Sequence, residues 1–396
     1  MSQDSSDLKG ASVSIDVSAI PLEPVGAGRY VIELLKNLPD FSGDMGILLI
    51  SRYGDAKRWS KSVNESFLVQ SLVPNNRAMR LAYERLSLGA QLERRGIKVH
   101  HGPHYTLPST SKISLISTIH DLTFFDFPQY HSKSKVMFFR KAIADACKRA
   151  DVIICVSQHT KSRLIELFDP KGEVSVIPHG VDTGRFKPEE DFVGQDQKII
   201  DELILGDDFI LYLGTVEGRK RIDVLVKAFD LLIKDKLIQN NVKLVMAGKN
   251  GWKTAEVEAA IKESPNSARI LRLGWVADEA VPSLIRRSLA VVYPSQAEGF
   301  GLPVLEAMAC GSKIITTQDT VMAEISNDVA YLCEPGLPES LEVAINSALC
   351  DLTNYSGSSN GEAVFNTRKQ MGLYLARKSS WQESAKRHAE IYRRFK

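Results

Sequence analysis

Residues 294–311 read PSQAEGFGLPVLEAMACG and follow directly on the apolar run Ala290–Tyr293. That run has the length and β-branched content of a buried strand, and the turn Glu298-Gly299-Phe300-Gly301 ends it. Pro303 suits the first turn of a helix, where its missing N–H would have had no acceptor. Such a strand–turn–helix unit directs unpaired helix N–H groups, and the positive end of the dipole, beyond the strand. A phosphate or a sugar oxygen is favoured there. Glu298 falls in the loop and Glu306 about one turn inside the helix, so both carboxylates can accept hydrogen bonds from sugar hydroxyls at different depths. The same two residues would also serve as simple complements to the helix dipole.

Outward from this unit, short apolar runs alternate with longer amphipathic stretches. Val13–Val17, Ile47–Ile50, Ile113–Ile119, Val152–Val156 and Val174–Ile177 read as strands, with helical patterns over Arg77–Arg95 and Lys135–Arg149. The pattern breaks at Pro178–Asp201, rich in Pro, Gly and charge, which is the expected interdomain linker. A second series follows. Its strands are Phe209–Leu213, Lys243–Met246, Ile270–Leu273, Ala290–Tyr293 and Lys313–Thr316. Its helices are Ile222–Ile233, Ala255–Lys262, Pro303–Cys310 and Leu337–Leu349. Alternation of this kind predicts parallel sheets covered on both faces, and 396 residues suffice for two such α/β domains. The expected fold is therefore two doubly wound Rossmann-like domains whose strand ends face a central cleft. Asn354–Gly361, Ser/Gly-rich, reads as a mobile loop.

Composition narrows the function class. A net charge of +2 gives no reason to expect a nucleic-acid partner. No apolar run reaches the roughly 20 residues of a membrane span, and Met1–Gly10 lacks the apolar segment of a signal peptide, so a cytoplasmic location is expected. The five cysteines stand at no metal-ligand spacing, which fits reduced, buried thiols. His100, His101 and His104 have no second pair at a metal-binding spacing, and no metal or other cofactor is expected.

Three further segments sit where strands give way to helices. In Leu213-Gly214-Thr215-Val216-Glu217-Gly218-Arg219-Lys220-Arg221, three consecutive cations oppose a helix dipole unless an anion sits there. A diphosphate would remove the conflict, as would partial neutralisation by Glu217 and Asp223. In Val25-Gly26-Ala27-Gly28-Arg29-Tyr30, the glycines allow a backbone to approach a phosphate closely, or form a plain turn; the third glycine of a dinucleotide loop is missing. In Thr118-Ile119-His120-Asp121-Leu122 a strand ends on a histidine. It could donate to a sugar, take part in proton transfer, or pair structurally with Asp121.

With these residues the sequence resembles retaining glycosyltransferases of family 4, the GT-B fold group with many mannosyl- and glucosyltransferases. The carrying element is Glu298-x7-Glu306 continuing to Gly311. Supporting it are Gly26–Tyr30, His101-Gly102-Pro103-His104, His120-Asp121-Leu122, Val176–Asp182, Arg219-Lys220 and Gly274-Trp275-Val276. The resemblance implies an acceptor-binding domain over 1–185, rejoined by a C-terminal helix over 381–396, and a nucleotide-sugar-binding domain over 186–380. It implies catalytic roles for His120, Arg219, Lys220 and Glu298, with His120 near the anomeric carbon, the two cations on the diphosphate and Glu298 on the donor sugar. Donor binding would fall to Gly26, Gly28, Trp275, Val276, Phe300, Gly301, Leu302 and Glu306, the last on the ribose. The chain departs from the pattern at Thr215-Val216, where many members carry Arg-Leu, at Gly218 in place of a proline, and at His179 in place of an asparagine.

The implied reaction moves a hexose, with GDP-mannose the favoured donor, to a glycan or lipid-linked glycan without a divalent metal. Front-face attack would give retention. A nucleotide-sugar epimerase or phosphorylase of the same fold, or a binding protein without turnover, remains as an alternative. Two basic groups mark a candidate peripheral membrane contact: Arg77, Arg80, Arg85, Arg94, Arg95 and Lys98, and Lys133, Lys135, Arg140 and Lys141. Ordinary solvated helix faces would look the same.

Overall fold

The computed structural model describes residues 11–22, 24, 26–110, 112–188, 193–203, 205–206, 208–353 and 360–396. Outside them lie residues 1–10, Val25 of the glycine loop, 189–192 of the linker segment, and 354–359 of the Ser/Gly-rich stretch. The chain divides into two units: Met1–His179 with Trp381–Lys396, and Gly180–Ser380.

Unit 1 is built on seven strands: β1 (Ala11–Asp16), β2 (Gly46–Arg52), β3 (Phe67–Val73), β4 (Val99–Gly102), β5 (Ser114–Ile119), β6 (Val152–Cys155) and β7 (Glu173–Val176). Their order is β3-β2-β1-β4-β5-β6-β7, and every pairing is parallel. Unit 2 has six: β8 (Phe209–Leu213), β9 (Lys243–Ala247), β10 (Ile270–Gly274), β11 (Ala290–Tyr293), β12 (Ile314–Thr317) and β13 (Tyr331–Cys333). They run β10-β9-β8-β11-β12-β13, again all parallel. Both are doubly wound sheets in which the order reverses beside the first strand. The reversal opens a crevice at the carboxyl ends of β1 and β4 in unit 1, and of β8 and β11 in unit 2.

The central strands are apolar on both faces because helices cover both, and β6 and β11 are buried along their whole length. Helix Ile222–Lys234 turns Ile222, Leu225, Phe229 and Leu232 into the unit 2 core. Three strands are absent from the apolar pattern of the sequence. β3 lies at the sheet edge and is mostly half-buried, so its residues include Gln70 and Ser71. β4 is central yet reads VHHG, and β13 has three residues.

The boundary between the units, His179/Gly180, falls at the start of the expected linker Pro178–Asp201, but the end of that stretch is helical. Residues Val193–Glu202 form a helix packed on helix Val281–Arg287. Asp196, fully buried, accepts from Arg286 Nε and Nη2 (2.6 Å each) and from Ser283 Oγ (2.6 Å). Its carboxylate is an internal charge with three donors, and the charge density of the segment serves packing inside unit 2.

The C-terminal helix Trp381–Arg393 belongs to unit 1, where it packs on helix Ala27–Asn37. A buried chain of hydrogen bonds fastens it. His388 Nδ1 lies 2.7 Å from the Ser384 carbonyl, which can only accept, so Nδ1 carries the proton and Nε2 accepts from Tyr30 OH (2.8 Å). Tyr30 then accepts from Thr118 Oγ1 (3.1 Å), Thr118 accepts from His101 Nε2 (2.8 Å), and His101 Nδ1 accepts from Tyr392 OH (2.7 Å). One carbonyl thus sets the direction of every proton, and both histidines are neutral. Burial pushes His388 down to about 4 and His101 well below its ordinary value. This explains how β4 can be central and polar: its His101 is satisfied from helices and from β5.

Candidate functional site

In unit 2 two loops meet at the crevice where the strand order reverses. The β8 loop turns through a short 3-10 helix, Gly218–Lys220, and Gln296 N donates to the Arg219 carbonyl (3.0 Å), tying it to the β11 loop. This join brings side chains 78 and 79 residues apart into contact. Arg219 Nη1 donates to Glu298 Oε2 (2.8 Å) and to the Ala297 carbonyl (2.7 Å), and Lys220 Nζ donates to Glu298 Oε1. Arg219 Nη2 also pairs with Glu217 (2.7 Å), while Arg221 turns away to form a two-bond pair with Asp223 (3.1 Å each). Three carboxylates therefore answer the three consecutive cations. Burial first, and Arg219 second, push the Lys220 ammonium well below its ordinary pKa, with Glu217 opposing. The carboxylate of Glu298 against Nζ also favours the charged form.

The β11 loop then enters helix Leu302–Ala309, with Pro303 in its first turn. Gly301 caps it at φ 97°, and a Cβ there would stand 2.9 Å from Met322 Cγ, so only glycine fits both the backbone and the space. Glu306 is buried in the second turn, and its charge, after burial itself, keeps Tyr293 OH protonated. Phe300 is buried and Leu302 half-buried. Trp275 and Val276 follow β10, the edge strand two places from β8; Trp275 is 64% exposed.

In unit 1, Gly26 caps helix Ala27–Asn37 at φ 51°, and a Cβ on Gly28 would stand 2.9 Å from Pro24 Cβ. His120, at the end of β5, is buried, and its Nε2 lies 2.8 Å from the Pro103 carbonyl. Nε2 is therefore the donor, and burial lowers the ring's pKa. The neutral ring leaves Nδ1 as an acceptor, so His120 is set to receive a hydrogen bond rather than give one. Its neighbour Asp121 accepts from Thr123 N (3.0 Å) and Oγ1 (2.6 Å).

Two family models cover most of the chain: Glycosyltransferase Family 4 over residues 24–185 and Glycosyl transferases group 1 over residues 195–356. The chain belongs to the family 4 glycosyltransferases. It is 28% identical over 343 residues to the O-antigen chain mannosyltransferase B of Escherichia coli, covering 82% of this chain and 87% of that one. Sucrose-phosphate synthase from Thermosynechococcus elongatus superimposes with a TM-score of 0.74 at 18% identity, over 97% of this chain and 98% of that one. The Anabaena protein HepE, solved with UDP, gives 0.70 at 16% identity, over 96% and 99%. Both structures have the GT-B fold, which is the fold of this glycosyltransferase.

Of the residues singled out from the sequence, Arg219, Lys220 and Glu298 form one cluster, with Phe300, Gly301, Leu302 and Glu306 on the loop and helix that follow. Trp275 and Val276 follow β10 of the same sheet, two strands from β8 and three from β11. Gly26, Gly28 and His120 belong to unit 1. Sequence reasoning missed Tyr30, His388 and Tyr392 as a network. The signal was present: Trp381, Ala385, His388 and Tyr392 recur at helical spacing on one buried face. Within the basic stretch Arg77–Arg95 the structure buries Glu84 to 3% exposure. Among the described residues no three His, Cys, Asp or Glu side chains form a metal-binding group, and no helix is long and apolar enough to cross a membrane.

Proposed function

We propose that this glycosyltransferase moves mannose from GDP-mannose, with retention at the anomeric carbon, to a glycan or lipid-linked glycan acceptor. The contact of Arg219 and Lys220 with Glu298 at the unit 2 crevice carries the reading. Cations able to neutralise a diphosphate stand beside a carboxylate able to hold sugar hydroxyls, and exposed Trp275 lies about two strand spacings away, where a base could stack. Mannose is favoured by the mannosyltransferase relative.

In the reaction the acceptor oxygen bonds to the anomeric carbon as the bond from that carbon to the diphosphate oxygen breaks. The hydroxyl proton passes to the departing diphosphate, which leaves as GDP. Arg219, Lys220 and the helix Leu302–Ala309 N-terminus stabilise the charge that develops on it, and no divalent ion is required. In unit 1, with Nε2 on the Pro103 carbonyl, His120 keeps Nδ1 as an acceptor for a sugar hydroxyl. Glu306 holds the ribose, and the backbone at Phe300, Gly301 and Leu302 approaches the donor.

Contact with anionic lipid is part of this proposal. Exposed Met79, Leu86 and Met137 stand among exposed Arg77, Arg85, Lys133 and Lys135. Their two helices are joined by Arg85–Asp145 (3.7 Å) and by Arg77 over the Phe138 ring (5.6 Å). Apolar tips among cations suit an interface with acidic headgroups.

The test is incubation with GDP-mannose, a mannoside acceptor and EDTA, with the product's anomeric configuration read by NMR. An α-linked product supports the reading. An inverted product, a need for metal, or an altered sugar formed from donor alone refutes it.

A further inference from the structure

In unit 1, two buried polar atoms lack hydrogen-bond partners at the crevice beside β1 and β4. One is Glu84 Oε2 and the other His104 Nδ1. Native folds leave few such atoms unpaired without a reason. Glu84 opens a π-helical turn, Glu84–Leu88, a widened turn found often at functional sites. Its nearest cation, Arg80 Nη1, is 3.7 Å from Oε2, beyond hydrogen-bond range, and also reaches Ser18 Oγ at 3.4 Å. Ser18 N donates to Asp16 Oδ1 (2.7 Å), so Asp16, at the end of β1, is anchored within the same cluster. His104 follows the end of β4, beside the Pro103 carbonyl that holds His120, and its ring is 6.0 Å from that of His120.

We infer that Arg80, Glu84 and His104 form the subsite for a neutral sugar of the acceptor. This rests on the transferase reading above. The chemistry selects the ligand class. Burial first, and then the charge of Asp16, raises the Glu84 carboxyl to about 7, with Thr106, Arg80 and Arg149 opposing. Near neutral pH it can therefore donate as well as accept. Burial and His120 push His104 down to about 3, so it is neutral. A carboxyl, a neutral imidazole and a guanidinium offer mixed donors and acceptors, as adjacent sugar hydroxyls require. A phosphate would meet Arg80 there but would also set its charge against Asp16 and Glu84, so the subsite favours a neutral group.

The test uses the full chain and saturation-transfer NMR, which needs no turnover. The probes are methyl α-D-mannoside, an α-linked mannobiose and mannose 6-phosphate. The variants are Glu84→Met, which keeps the bulk and removes both donor and acceptor, and His104→Ala, with thermal melting to establish folding. GDP titration run in parallel reports on the donor reading separately. The mannosides should give transfer in the wild type and at least fivefold less in each folded variant, with GDP affinity within twofold. Mannose 6-phosphate should bind more weakly than the mannosides. No transfer in the wild type, undiminished transfer in the folded variants, or preference for the phosphorylated sugar overturns the inference. Should Glu84→Met fail to fold, His104→Ala decides alone.

Discussion

Glu298 occupies the cations that a diphosphate would need, so Glu298→Gln should affect the empty and nucleotide-bound protein differently. In the structure the carboxylate takes charge-assisted bonds from Arg219 (2.8 Å) and Lys220, with side-chain exposures of 12%, 22% and 15%. An amide keeps the shape but leaves Lys220 as a poorly paired, largely buried charge. Breaking one partner of a buried pair costs about 3–5 kcal/mol, and the residual exposure reduces this to roughly 2–4 kcal/mol. At about 2–4 °C per kcal/mol for a unit of this size, the melting temperature should fall by roughly 5–15 °C. With GDP bound, the diphosphate supplies the missing anion and most of the deficit disappears. By linkage the variant should bind GDP about 10- to 100-fold tighter than the wild type, at about 1.4 kcal/mol per tenfold. GDP-mannose should gain less, because the sugar loses its carboxylate. Calorimetric titration and melting with and without nucleotide read both effects. GDP affinity equal to or weaker than the wild type would refute the reasoning.

Two further predictions concern unit 1. Tyr30→Phe removes the hydroxyl that joins His388 to Thr118 and strands His388 Nε2, at a cost of about 1–3 kcal/mol per buried group. A lowered urea midpoint with GDP affinity unchanged is expected; an unchanged midpoint would contradict the network. Acidification should also destabilise the protein. His100 and His388 are held down at about 4 and His104 at about 3, so below about 6.5 the unfolded chain takes up protons first and stability falls toward pH 4. Glu84, raised to about 7, runs the other way: the folded state protonates first and gains stability between about 7 and 4.5. The histidines outnumber it, so the urea midpoint should drop between pH 7 and 5. A flat or rising midpoint would count against this balance.

The doubly wound architecture was legible because parallel strands covered on both faces must be continuously apolar, as in Val152–Cys155 and Ala290–Tyr293. It failed at Val99–Gly102, where burial of His100 and His101 depends on partners such as Ser14, Thr118 and Tyr392, remote in sequence. Local charge misled for the same reason at Asp196, whose burial is set by tertiary neighbours. At the donor site the residue types and their strand-end placement were readable. Contact of Glu298 with Arg219 and Lys220 was not, since it depends on how two loops nearly 80 residues apart are joined at Gln296. The sequence posed the clash of three cations with a helix dipole, and the carboxylates that answer it include one from another loop.

The central claim is that the unit 2 crevice binds the diphosphate of a guanosine-linked donor. Isothermal titration of the purified protein with GDP, UDP and ADP tests it most directly, with Lys220→Ala and Glu306→Ala as controls. The account predicts micromolar binding of GDP, weaker binding of UDP and ADP, and loss of GDP binding in both variants. Preference for another diphosphate would overturn the donor assignment, and no binding of any, or binding indifferent to both substitutions, would contradict the site itself.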